Sequence, residues 1–67
     1  MVRLKVKEKA EEHGISQGRL SRLSDVDIKT IKRIYRDPLT IVTTETLGKI
    51  AKALGIDASE LIESEPD

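Results

Sequence analysis

The 67 residues carry 12 Lys and Arg against 12 Asp and Glu, with one His and no Cys, which is enough chain for one domain, 1–67, of zero formal net charge. Without cysteine a disulfide framework or a Cys/His zinc site is excluded. No apolar run approaches the roughly 20 residues of a membrane span, and MVRLKVKEKA has neither the h-region nor the cleavage site of a signal peptide.

These exclusions make a reducing cytoplasm the expected compartment, with no membrane, metal, cofactor or small-molecule ligand. Phe and Trp are absent and Tyr35 is the only aromatic, which argues against recognition of RNA or single strands by base stacking. The zero net charge conceals an uneven distribution. Residues 17–36 hold Arg19, Arg22, Lys29, Lys32, Arg33 and Arg36 against Asp25 and Asp27, while residues 37–67 hold Lys49 and Lys52 against seven acidic side chains. The surface is therefore polarised, basic in the middle of the chain and acidic toward its end.

In chain order, Val2, Leu4 and Val6 alternate with Arg3, Lys5 and Lys7, the period of a strand. VKEKAEEH follows with helical composition and is closed by Gly14. Ser16 is an N-cap for QGRLSRLS, with Ile15 placed as a hydrophobic staple. Asp25-Val26-Asp27 makes a turn, and Asp27 caps IKTIKRIYR, which stops before Asp37-Pro38. LTIVT is β-branched and reads as extended, so the N-terminal strand is expected to pair near residues 39–43 and to send Leu4 and Ile41 toward the core. Thr43 caps TETLGKIAKAL, which Gly55 ends. Asp57 to Glu60 form a capping box for a fifth short helix, ASELIE. The tail 64–67 is expected to fray. Leu20 and Leu23, Ile28, Ile31, Ile34 and Tyr35, and Leu47, Ile50, Ala51 and Leu54 mark the inner faces of the second, third and fourth helices. Leu61 and Ile62 mark the fifth, and because they are adjacent only one of them fits a small core.

Residues 16–36 thus form two helices joined by a three-residue turn, the shape of a helix-turn-helix whose second helix enters a major groove. Ser21 is small where the two helices cross, and Val26 plugs the turn. With Ile31 and Ile34 turned inward, Lys29, Lys32, Arg33 and Arg36 are left on the outer side. Lys29 and Arg33 are four apart and share one face, and both can donate to guanine N7 and O6.

EEHGISQGRLSRLSDVDIKTIKRI and TETLGKIAKALGIDASELIE resemble the Cro/repressor-type (XRE) helix-turn-helix family of transcriptional regulators, over roughly residues 4–62. The second stretch is the more telling, because many helix-turn-helix proteins lack it. The resemblance implies an all-α fold, a compact five-helix bundle of the lambda-repressor-like DNA-binding type. It implies a sequence-specific regulator of transcription, most often a repressor, that inserts helix 28–36 into the major groove of duplex DNA. It places Ile28, Lys29, Lys32 and Arg33 against base edges and Gln17, Arg36 and Thr40 against phosphates, with Ile28 meeting a thymine methyl.

Three positions depart from the family pattern. Asp25 stands where Gly is common, Lys9 where helix one is usually apolar, and Ile28 where a polar base reader is common. One such domain covers only about 600–1,000 Å² of DNA, so a homodimer on a two-fold site, formed around the last helix, is the natural arrangement. With no room in 67 residues for a ligand-sensing domain, control is expected through abundance, partners or oligomerisation. The rival reading, from another class, is an antitoxin or co-regulator that uses the same fold to hold a protein. No nucleophile–base pair or Gly-rich phosphate loop is present, so no enzymatic activity is expected. Asp25 and Asp27 mimic the start of a calcium loop, but Thr30 and Arg36 occupy the positions that would need Gly and Glu. Tyr35 reads as a packing residue, His13 as an exposed helix end, and Glu8, Glu11 and Glu12 as a solvated face.

Overall fold

The computed structural model describes residues 1–64 and 66. In chain order it consists of strand β1 (Val2–Leu4), helices α1 (Val6–Glu12), α2 (Gln17–Ser24), α3 (Ile28–Arg36) and α4 (Thr44–Leu54), a 3-10 turn (Ala58–Leu61) and strand β2 (Ile62–Ser64). The helix ends follow their sequence signals. Ser16, Asp27 and Thr43 accept from the amides of Arg19, Lys29 and Thr46, which satisfies donors that a helix cannot pair internally. Gly55, at φ 69°, turns the chain out of α4 in the left-handed region that costs glycine nothing.

The core draws on β1, the four α-helices and the 3-10 turn, while β2 stays exposed. Leu4, Val6 and Ala10 come from the N-terminal part, Leu20 from α2, Ile31 and Ile34 from α3, Ile50, Ala51 and Leu54 from α4, and Leu61 from the 3-10 turn. Ile15 and Leu47 pack against it from its edge. The apolar spacing of α3 and α4 therefore buries the faces it marks. In α2 it does so only in part. Leu20 is fully buried but Leu23 is 52 % exposed, and the inward position four residues after Leu20 belongs to Ser24. The Ser24 hydroxyl is kept satisfied by donating to the Leu20 carbonyl at 2.6 Å.

Two further expectations are corrected. The described residues form four α-helices instead of five. The Asp57 capping box forms as the sequence requires, but it opens only a 3-10 turn, after which Ile62 is extended at φ −126°, ψ 146°. A helix of so few residues has little cooperative support, and the competing strand pairing supplies backbone partners at once. The Lys5 amide donates to the Leu61 carbonyl at 2.7 Å, and Val2, Arg3 and Leu4 stand opposite Ser64, Glu63 and Ile62 in an antiparallel ladder.

That ladder is the second correction, because β1 does not pair with residues 39–43. Toward that side the Leu4 amide donates to the Pro38 carbonyl at 2.8 Å, just ahead of the expected partner segment. Residues 37–40 instead close a turn. The Asp37 carboxylate accepts from the Leu39 amide, and its carbonyl accepts from the Thr40 amide. Ile41, expected inside, is 92 % exposed, whereas Leu4 is buried as expected. Leu61 and Ile62 divide as their adjacency requires, the first fully buried and the second 41 % exposed. Of the tail expected to fray, Ser64 ends β2, and Glu65 and Asp67 lie outside the described residues.

Ion pairs bind the two ends of the chain to α1. Arg3 holds Glu8 at 3.0 Å and Glu63 at 2.9 Å. Lys9, the polar intruder on α1, lays its stem against the protein with its side chain 22 % exposed and reaches Glu12 and Glu60, the snorkelling that a long cationic side chain permits.

Candidate nucleic-acid interface

The helix-turn-helix unit is fixed by its own short-range bonds. Asp25 adopts φ 58°, ψ 35° and returns its amide to the Ser21 carbonyl. The Val26 amide donates to the same carbonyl, and the Ser21 hydroxyl donates to the Val26 carbonyl at 2.5 Å. Ser21 thus bonds to the turn from both its main chain and its side chain, which explains a small hydroxyl residue at that crossing. Val26 is buried beneath. Asp27 then starts α3 by accepting from the Lys29 amide at 2.7 Å.

Ile31 and Ile34 anchor α3 in the core, 0 % and 2 % exposed, and Ile28 packs partly against it. With that face fixed, Lys29, Lys32, Arg33 and Arg36 all emerge on the solvent side. From Lys29 to Arg36 they span about 10 Å of helix axis, close to the roughly 12 Å width of a B-DNA major groove. The ion pairs among the described residues engage Arg3, Lys9 and Lys49. None engages the six basic side chains of residues 17–36, so among the described residues this cationic charge is uncompensated.

The other residues singled out from the sequence fall around this face. Gln17 occupies the first turn of α2, half-buried, behind the Ser16 cap. Thr40 lies in the turn after α3, half-buried, its amide bonded to the Asp37 carbonyl at 3.0 Å. Tyr35 belongs to the packing, against the core. Burial raises its phenol above the ordinary range, and the negative charges of Glu11 and Glu8 add to this. His13 closes α1 in the open, its Nδ1 at 2.8 Å from the Lys9 carbonyl.

Sequence reasoning counted Arg19 and Arg22 as charge but gave them no role. Both are exposed on α2. The Arg22 guanidinium folds back along the helix, 3.7 Å from where a Cβ on Gly18 would stand, and so brings its charge toward the first turn and Gln17. The i, i+4 spacing of Gly18 and Arg22 was the available signal.

A family model of the Cro/C1-type HTH DNA-binding domain matches residues 5–67. Neither a search of curated proteins nor one of solved structures finds a match to the chain.

Proposed function

The chain belongs to the Cro/C1-type helix-turn-helix DNA-binding family, and from that premise we propose that it is a sequence-specific transcriptional regulator that lays α3 in the major groove. The observation that carries this reading is the uncompensated row Lys29, Lys32, Arg33 and Arg36 on a helix whose opposite side is locked into the core. A row of cations left without carboxylate partners is matched to a polyanion, and its placement on the second helix of the unit matches the groove-reading element. Lys29, Lys32 and Arg33 address base edges, with Arg33 able to grip guanine N7 and O6 bidentately, and Ile28 offers an apolar contact to a thymine methyl. Arg36 and Thr40 hold phosphates at and just past the C-terminal end of the reading helix, and Gln17 holds one at the start of α2, aided by the amides of that N-terminus. Occupancy of a site excludes competitors from it, so repression is the mode this reading favours.

The test is selection of bound duplexes from a random pool, then affinity of variants on the selected site and on a scrambled one. Lys29→Ala and Arg33→Ala each cost about 1–3 kcal/mol on the selected site and relax base choice there. Equal losses on both duplexes would remove base reading. No effect on either would leave the basic face as solvated surface and move the antitoxin or co-regulator reading to the front.

A further inference from the structure

A groove of about 510 Å³ lies between the end of α2 and the second half of α4, lined by Leu23, Ser24, Asp25, Lys49, Lys52 and Ala53. Leu23 is the apolar side chain of α2 that the core leaves 52 % exposed, because Ser24 takes the inward place. The Ser24 hydroxyl is already satisfied by the Leu20 carbonyl. The two lysines are open to another molecule. Lys52 makes no ion pair among the described residues. Lys49 reaches Glu45 at 3.9 Å, but the Glu45 side chain is 82 % exposed, and so open a pair contributes little. We propose that this groove docks an acidic amphipathic helix of another protein, with apolar side chains on Leu23 and Ala53 and carboxylates on Lys49 and Lys52.

The chemistry of the groove selects this occupant. Leu23 and Ala53 supply apolar surface, and Lys49 and Lys52, three apart on α4, stand side by side. An apolar strip edged by acidic side chains is complementary to both at once. The groove runs between two helices and is open to solvent, the form that accepts a partner helix through residues at i and i+4. Asp25 is the one carboxylate in the lining. It sets the polarity, keeping the acidic groups of the partner over α4 and away from the turn. Other occupants fit less well. A two-fold contact of two copies here brings Lys49 and Lys52 close to their own counterparts, a like-charge cost. A duplex gains nothing from Leu23 and meets Asp25 with its phosphates.

The groove is separate from the face assigned to DNA. No residue of α3 lines it, and neither Gln17 nor Thr40 does. A partner and a duplex are therefore held at once, which would bring the partner to the bound site without competing for it. The docking itself does not rest on the DNA-binding reading. Its lining is small against the roughly 20–30 residues a side of a standard interface, so the contact is weak and reversible.

The probe is a library of helix-constrained peptides of about 15 residues, the constraint supplying the helicity that free peptides of that length lack. Selection on the full chain enriches peptides with two apolar residues four apart and Asp or Glu beside them. On titration with an enriched peptide the amides of Leu23, Lys49, Lys52 and Ala53 shift and those of residues 29–36 do not. Leu23→Gln and Lys52→Glu, at exposed positions that leave the core intact, each weaken binding about tenfold. A peptide with Lys in place of the facing Glu recovers the loss in Lys52→Glu. A saturating duplex leaves peptide affinity within about twofold, as for uncoupled sites. No enrichment, enriched peptides without acidic residues, shifts centred on α3 or failure of the charge swap would overturn the proposal. So would displacement of the peptide by duplex, which would give the lysines to DNA. Shifts of the same four amides on dilution of the free chain would overturn it too, and give the groove to a second copy. If no duplex is bound at all, the DNA-binding reading fails and the peptide measurements still decide the docking.

Discussion

Asp25 holds the turn between the two helices in a conformation that side chains ordinarily avoid. At φ 58°, ψ 35° it is the only non-glycine residue with positive φ among the described residues. An aspartate tolerates the left-handed region better than most residues, yet still pays for its Cβ. Its carboxylate makes no hydrogen bond or ion pair among the described residues, so replacing it removes strain and no contact. Asp25→Gly raises stability by about 0.5–1 kcal/mol, the steric relief being partly offset by a freer unfolded chain. Asp25→Val lowers it by about 1–2 kcal/mol, since a β-branched residue fits the left-handed region worst. Urea midpoints at unchanged slope measure both. If Asp25→Gly proved destabilising, the carboxylate would be holding something that its geometry does not show. The same residue shows how much local chemistry the sequence discloses. Its place in the turn, the caps at Ser16, Asp27, Thr43 and Asp57, and the inward Ile31 and Ile34 are all written within a few residues of where they act.

The two short strands and the 3-10 turn show where such reading stops. A cap depends on neighbours three residues away, but β1 chooses between two partners, one about 35 residues distant and one about 60. LTIVT has the better strand composition and loses, because Asp37 closes a turn across its start and Lys5 takes the Leu61 carbonyl. Leu23 was misplaced for a different reason. It lies three residues from Leu20 and Ser24 lies four, and both spacings put a residue on Leu20's side of a helix. Only the packing of α2 against α3 and α4 decides that the small polar residue goes inside. At the candidate interface, the outer face of α3 was legible because its inner face is unambiguous, whereas Arg22 needed its folded-back rotamer to acquire a position. The revised C-terminal element carries a sharp contrast. Leu61→Ala costs about 2–5 kcal/mol, as for a fully buried leucine. Ile62→Ala, at 41 % exposure in a strand, costs less than about 1 kcal/mol. Comparable losses at the two adjacent positions would mean that Ile62 is covered as fully as Leu61, against its 41 % exposure.

Across the molecule, the ion pairs of the described residues fall outside the basic middle of the chain, although the formal net charge is zero. Arg3 and Lys9 spend their charge on Glu8, Glu63, Glu12 and Glu60, clamping the chain ends to α1. The six basic side chains of α2 and α3 keep theirs, and the acidic C-terminal half balances the total without neutralising that face. A polyanion therefore meets a local field that the formal charge hides, and association should respond to salt as a basic protein's would. The logarithm of affinity falls linearly with the logarithm of salt concentration, by about 0.9 for each phosphate neutralised. The six cations of α2 and α3 bound that face's share of the slope at about −5 for one copy. Arg36→Ala makes it shallower by about one unit on selected and scrambled duplexes alike. Gln17→Ala weakens binding with the slope unchanged, because a neutral side chain releases no counterion. Lys9→Ala also leaves the slope in place, since Lys9 is committed to carboxylates, and its cost appears in stability. Affinity titrations across a salt series for these three variants decide the matter. If Lys9→Ala and Arg36→Ala changed the slope equally, DNA would be responding to the charge of the whole chain, and α3 would lose its claim to be the docking element.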